Sequence, residues 1–177
     1  MFRQFYPTVY SGSAYQIDFR KLYEKGYRGL LTDVDNTLVE HGAPANERSV
    51  ALFAMLHQIG WKTCILSNNE EGRVAPFAEK TESFYICNAG KPKTAGYEKG
   101  MEQMATDRET TLFLGDQMFT DIWGANRTGI RSILVKPIKK DPLFHIRLKR
   151  AGEFIVKIFY SAFAKKHPAS YDPIKGL

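Results

Sequence analysis

The segment LLTDVDNTLV, residues 30–39, sets two carboxylates, Asp33 and Asp35, at the end of an apolar run. A carboxylate taken out of water without a partner is strongly disfavoured, so folding alone does not select this placement. Polar groups recur at the ends of three other apolar runs. Ser67, Asn68 and Asn69 close WKTCILS, Asn88 leads to Lys91 and Lys93 after SFYIC, and Asp116 closes TTLFLGD with Asp121 nearby. Three or four carboxylates in one crevice repel one another unless a cation sits among them, and carboxylate oxygens without His or Cys suit Mg²⁺. A hydroxyl and an ammonium group at the same rim complete a phosphate site. One carboxylate of such a set can attack phosphorus to form an aspartyl-phosphate. A second, two residues on, then handles the proton of the leaving group and later of water.

Taken singly, these residues have plainer readings: Asp35 and Asn36 suit a turn, Lys91 before Pro92 suits a solvated loop, and Asp121 suits a helix cap. Their order sets them apart, because each group falls at a successive strand end. The runs RGLLTDV, WKTCILS, SFYIC, TTLFLGD and RSILVKP, between Tyr27 and Pro137, are short, apolar and rich in residues that suit a pleated surface. Segments of helical length separate them. NERSVALFAMLHQIG has Asn46 as N-cap and Gly60 just past its end, with Val50, Phe53, Ala54 and Ile59 as inward candidates. EGRVAPFAEK, TAGYEKGMEQMA and TDIWGANRTG are interrupted by Pro76 and glycines, so their bounds are not set by pattern.

This alternation predicts a three-layer α/β domain, Rossmann-like, with a mostly parallel sheet and its ligand site at the carboxyl ends of the strands. At 177 residues and 44% hydrophobic content, the chain is expected to form a single domain over 1–177. Its core is expected at about 26–137, with 138–177 as a basic amphipathic C-terminal segment. Competing chemistries lack their motifs: there is no Walker-type glycine loop, dinucleotide fingerprint or serine-hydrolase elbow, and the four histidines are scattered. Cys64 and Cys87 sit in strand-like runs without metal-ligand spacing and read as reduced core residues.

The motifs, in order, resemble those of the haloacid dehalogenase (HAD) superfamily of phosphatases: DVDNT the first, the serine of LSNN the second, the lysine of GKPK the third and GDQMFTD the fourth. The resemblance implies Asp33 as nucleophile and metal ligand, Asp35 as general acid/base, and Thr37 and Ser67 as phosphate hydrogen-bonders, with Asn68 beside them as a substrate-binding candidate. It likewise implies Lys91 as the phosphate-stabilising cation, with Lys93 close enough to compete for that role, and Asp116 and Asp121 as Mg²⁺ ligands. Asp35 is added to the candidate metal set as the fourth carboxylate of the crevice. The lead-in FYPTVYSGSAYQIDFRKLYEKGYRGLL and the stretch GDQMFTDIWGANRTGIRSILVKP are similar to the YqeG-like group of that superfamily, itself similar to the mitochondrial phosphatidylglycerophosphate phosphatases.

Only 29 residues separate Thr37 from Ser67 and 23 separate Ser67 from Lys91, enough in each case for one helix and one strand and too few for a cap domain. A capless site suits a large or membrane-held phosphate, or a small phosphorylated metabolite shielded by a neighbouring subunit. Residues 1–130 carry 14 Lys and Arg against 16 Asp and Glu, whereas residues 131–177 carry 11 against 3. Within the basic tail, Phe144, Leu148, Ala151, Ile155, Ile158 and Ala162 form a helical stripe, with Arg147, Lys149, Arg150 and Lys157 off it. Such a helix either packs its stripe on the core or lies on an anionic membrane surface. Nucleic acid ranks below both, since no recognised module or stacking platform is present. With no signal-like or membrane-spanning run, the expected location is cytoplasmic, at most peripheral to a membrane. A binding module that takes Mg²⁺ and phosphate without turnover, touching RNA or a GTPase, is the alternative class.

Overall fold

The computed structural model describes residues 2–139, 144–171 and 173–177, with residues 144–151, 170, 171 and 173 described by backbone alone. Six parallel strands form one sheet: β1 (Val9–Ser11), β2 (Gly29–Thr32), β3 (Lys62–Leu66), β4 (Phe84–Ile86), β5 (Thr111–Gly115) and β6 (Arg131–Val135), in the order β1-β6-β5-β2-β3-β4. All five expected runs become strands. β1 was not expected: its three residues are too short to show a period, and only pairing with β6, Val9 opposite Ile133, makes them a strand. The sheet therefore draws in a segment from outside the expected core.

Helices cover both faces. On one side α1 (Phe19–Glu24), α2 (Glu47–Ile59) and α3 (Glu71–Lys80) pack on Leu30, Leu112 and Ile133. On the other, α4 (Ala95–Met104), α5 (Trp123–Thr128) and α6 (Phe144–Lys166) pack on Leu31, Phe113 and Leu134. Neighbouring residues of one strand serve opposite layers, which is why the strands read as continuous apolar runs instead of alternating ones. No additional domain is inserted between β2 and β4 among the described residues.

α2 starts and stops where its sequence predicts. Asn46 and Ser49 form a reciprocal capping box, and Gly60 takes the left-handed conformation at φ 110° to close the last turn. Its inward face is rotated from the expected one: Ser49, Leu52, Phe53 and Leu56 are buried, whereas Val50 and Ala54 are exposed. In a short helix with apolar residues on several sides, the phase is decided by the surface it meets.

α6 departs further. Its buried side consists of Glu153, Val156, Tyr160 and Ala164, while Ile155, Ile158 and Ala162 of the expected stripe face outward. The side chains of Phe144, Leu148, Ala151, Arg147, Lys149 and Arg150 lie outside the described residues. Glu153 accepts the Phe119 N–H at 3.2 Å, which fixes the helix's rotation by a polar contact that apolar periodicity does not reveal.

Candidate active site

Leaving β2, the chain builds β3 and β4 on one side and then crosses to place β5 on the other. The strand order reverses between β2 and β5, and a crevice opens there at their carboxyl ends. Asp33 follows β2 and Asp116 follows β5, so the two carboxylates meet across the reversal. The loop after Asp33 doubles back tightly, with Asn36 at φ 62° and its N–H bonded to Val39 O at 2.7 Å. That conformation suits asparagine better than most residues.

Asp33, Asp116 and Asp121 are all buried, and one oxygen from each lies within 4.8 Å of the others. Asp121 arrives by a separate device: a π-helical turn, Met118–Ile122, swings it back over the end of β5. There its Oδ2 accepts the N–H groups of Asp116 and Gln117 at 3.2 and 3.0 Å. Gly115 is required for this approach, since a Cβ at that position would stand 2.5 Å from Asp121 Oδ2. Lys91 Nζ is 2.7 Å from Asp33 Oδ1 and 2.8 Å from Asp121 Oδ1. Thr37 Oγ1 lies 3.4 Å from both Asp33 Oδ2 and Asp116 Oδ1.

Charge governs this pocket. Burial pushes the Asp33 carboxyl up to about 6, with Lys91 opposing the rise and the carboxylate of Asp121 adding to it. For Lys91, burial disfavours the ammonium, but Asp121 and Asp33 outweigh it and hold the group firmly protonated. One ammonium against three carboxylates leaves the pocket short of positive charge. Asp121 Oδ1, fully buried, makes its ion pair with Lys91 but no directed hydrogen bond. An all-oxygen set of three buried carboxylates facing a single ammonium fits a hard divalent cation such as Mg²⁺.

Comparison with known proteins accords with this geometry. The family model described as HAD-hydrolase-like matches residues 88–157. Over 150 residues the chain is 35% identical to the "Probable phosphatase YqeG" of Bacillus subtilis (strain 168), covering 84% of this chain and 87% of that one. The chain belongs to the HAD-like hydrolase family. It is a phosphatase of that family, a phosphoric monoester hydrolase. A second relative, the chloroplastic "Phosphatidylglycerophosphate phosphatase 1" of Chlamydomonas reinhardtii, is 26% identical over 162 residues, which are 85% of this chain and 60% of that protein. Among solved structures, an uncharacterised protein from Listeria monocytogenes serotype 4b superposes with a TM-score of 0.51 at 17% identity, covering 66% of this chain and 84% of that one.

In this HAD phosphatase the side chains of two expected site residues are engaged elsewhere than at the cluster. The Asp35 carboxylate is not part of the metal-competent cluster; it bonds Arg73 Nη2 at 2.8 Å, Asn69 Nδ2 at 2.6 Å and the Gly42 N–H at 2.8 Å. The chain turns sharply at Asn36, φ 62°, and this loop carries the Asp35 carboxylate towards Asn69 and Arg73 instead of into the cluster. The Asn68 amide is turned to the backbone of Lys91: Oδ1 accepts the Lys91 N–H at 2.7 Å and Nδ2 donates to Lys91 O at 3.2 Å. It fixes the backbone from which the ammonium projects. Ser67 is buried past the end of β3, where its Oγ accepts the Asn69 N–H at 3.2 Å. Lys91 is buried in the crevice and Lys93 is exposed, which separates two lysines that sequence left competing.

Three positioning groups escaped sequence reasoning. Arg73, on α3, holds Asp35 and also donates to Ala43 O at 2.8 Å. The Tyr97 hydroxyl, on α4, contacts both Thr120 O and Asp121 O at 3.0 Å and so supports the π-helical turn. Glu153 reaches the same turn from α6. Each comes from a helix distant in sequence, and no spacing rule links them to the motifs.

Proposed function

We propose that the protein is a Mg²⁺-dependent phosphomonoesterase that works through a phosphorylated Asp33, with phosphatidylglycerophosphate as its substrate. The observation that carries the reading is the setting of Asp33: buried at the sheet's reversal point, beside Lys91 and Thr37, within a three-carboxylate cluster. Asp33 attacks phosphorus and the ester oxygen leaves, taking a proton from Asp35. Water then attacks the aspartyl-phosphate, giving its proton to Asp35, and phosphate departs with Asp33 restored. Asp35 must turn from Arg73 towards the leaving oxygen to serve in both steps. Lys91 and the hydroxyls of Thr37 and Ser67 hold the transferring group, which is most of what phosphoryl transfer asks of a protein. Mg²⁺, held by Asp33, Asp116 and Asp121, supplies the positive charge that the phosphoryl oxygens and carboxylates together require.

Support for the lipid substrate comes from the relative named as a phosphatidylglycerophosphate phosphatase, from the lack of a cap-sized insertion between β2 and β4 among the described residues, and from α6. Phe154 is 65% exposed and Phe159 46%, and they adjoin Ile155, Ile158 and Ala162 on one outward face. Lys165 and Lys166 are exposed at its end. An apolar face edged with cations suits the surface of an anionic membrane. No helix among the described residues is long and apolar enough to cross one.

The test is phosphate release from phosphatidylglycerophosphate in mixed micelles, with and without Mg²⁺, beside soluble phosphomonoesters. The expected result is Mg²⁺-dependent release that favours the lipid and vanishes in Asp33→Asn while its circular dichroism stays unchanged. Release from soluble esters alone removes the lipid assignment, and normal turnover by Asp33→Asn removes the nucleophile. Co-sedimentation should be stronger with anionic than with neutral vesicles, fall with salt and be lost in Phe154→Asp/Phe159→Asp.

A further inference from the structure

A second depression lies beside the Asp33 crevice, between the ends of β1 and β6 and the middle of α6. It has a volume of about 290 Å³, and Leu134, Pro137 and the rings of Tyr10 and Tyr160 give it a largely apolar lining. Two cations, Lys136 and Lys157, stand on its wall.

Its position follows from the sheet register. Tyr10 pairs with Leu134, and Leu134 with Gly115, the residue before Asp116. β6 is separated from β2 by β5 alone, so the cleft stands about two strand spacings, ~10 Å, from the strand that carries Asp33. The two sites also share a wall. Just beyond Lys136 and Pro137, the Ile138 N–H donates to Asn36 O at 3.1 Å and the Lys139 N–H to Asn36 Oδ1 at 3.2 Å. The segment that forms the cleft is thereby pinned to the Asp33–Thr37 loop.

We infer that this cleft is a second subsite, which binds the non-reacting phosphodiester of a glycerolipid bis-phosphate on Lys136 and Lys157 and seats the adjoining acyl stem against Leu134, Pro137 and Tyr160. The inference rests on the proposed lipid substrate and adds what makes the protein prefer it. In a phosphatidylglycerophosphate the two phosphorus atoms are joined through a glycerol by six bonds, which extend to about 7 Å at ordinary bond lengths. The side chains of Asp33 and Lys136 close the remaining gap. Charge selects the occupant at one end, since an ammonium pair attracts a phosphodiester that a simple phosphomonoester lacks. Apolar lining selects it at the other, since a soluble sugar phosphate would leave its hydroxyls without partners there. Lys157, Tyr160 and Ser161 face the cleft from α6 within a turn of the outward Ile158 and Phe159. A lipid leaving the membrane at that face would reach the cleft before the crevice.

The test uses dihexanoyl lipids below their micellar concentration, which removes surface adsorption from the measurement. In Lys136→Glu and Lys136→Glu/Lys157→Glu, the ratio of kcat/KM for dihexanoyl-phosphatidylglycerophosphate to that for p-nitrophenyl phosphate is expected to fall at least tenfold, with Lys136→Arg near wild type. Independently of turnover, dihexanoyl-phosphatidylglycerol, which carries only the phosphodiester, should bind the Asp33→Asn protein at least tenfold more weakly once Lys136→Glu is added. An unchanged ratio in a wild-type background that does hydrolyse the lipid overturns the subsite and leaves the substrate standing. Lys136-dependent binding of phosphatidylglycerol by a protein that hydrolyses no lipid supports the subsite and removes the substrate.

Discussion

Lys91→Met gives the sharpest test of how the crevice is held together without metal. The Lys91 side chain is 4% exposed, with Asp33 at 10% and Asp121 at 1%. This is a buried triad in which one cation faces two carboxylates at 2.7 and 2.8 Å. Methionine keeps most of the stem's volume but leaves both carboxylates, and Asp116 close by, without a cation. Breaking a buried ion pair from one side costs about 3–5 kcal/mol, a large fraction of the roughly 5–15 kcal/mol that separates folded from unfolded chains. Urea denaturation in EDTA at pH 7.5 should therefore show the midpoint falling by that amount over the m-value. Two controls follow from the charges. Acidification to pH 5 should shrink the loss, because Asp33, raised by burial and no longer opposed by the Lys91 charge, takes a proton and removes one uncompensated charge. Saturating Mg²⁺ should stabilise the variant more than the wild type, since the metal then supplies charge that Lys91 no longer does. A loss below about 1 kcal/mol, or equal stabilisation of both proteins by Mg²⁺, would refute the view that Lys91 is what makes the metal-free carboxylate cluster tolerable.

Other outcomes follow from single contacts. In the metal-free protein the raised Asp33 pKa means that the folded state binds more protons than the unfolded one between the ordinary carboxylate range and about 6, so stability declines as pH rises through that window. Mg²⁺ must displace that proton, and its dissociation constant should rise about tenfold per pH unit below 6 in calorimetric titrations. Arg73→Met frees the Asp35 carboxylate, which must leave Arg73 to meet the leaving oxygen, and should change kcat for an alkyl phosphate more than for p-nitrophenyl phosphate, whose leaving group needs no proton; an equal change for both would exclude an effect through Asp35. Gly100→Ala puts a Cβ 2.5 Å from Leu31 Cδ2 and should cost about 1–3 kcal/mol in denaturation, without altering KM.

The sequence alone determined the layers and the rim. Strands buried on both faces must be short, apolar and free of helix period, so RGLLTDV, WKTCILS, SFYIC, TTLFLGD and RSILVKP declared themselves. Polar residues at their ends had plain readings one by one, and it was their order at successive strand ends that brought Asp33, Thr37, Ser67, Lys91, Asp116 and Asp121 to notice together. Local signals also set the ends of α2, because a capping box and a left-handed glycine act within one turn.

Tertiary structure decided the rest. Whether an acid two residues from Asp33 faces the carboxylate cluster or an arginine depends on what another element presents, and only packing brought Arg73 of α3 to Asp35. Asn68 was legible as polar but not as the clamp on Lys91, since the two meet only when β3 and the loop after β4 lie side by side. The rotation of α6 was set by Glu153 reaching the turn after β5, against the apolar stripe that its own sequence advertises. Periodicity reports what a segment can bury; which face it does bury is a property of the surface that receives it.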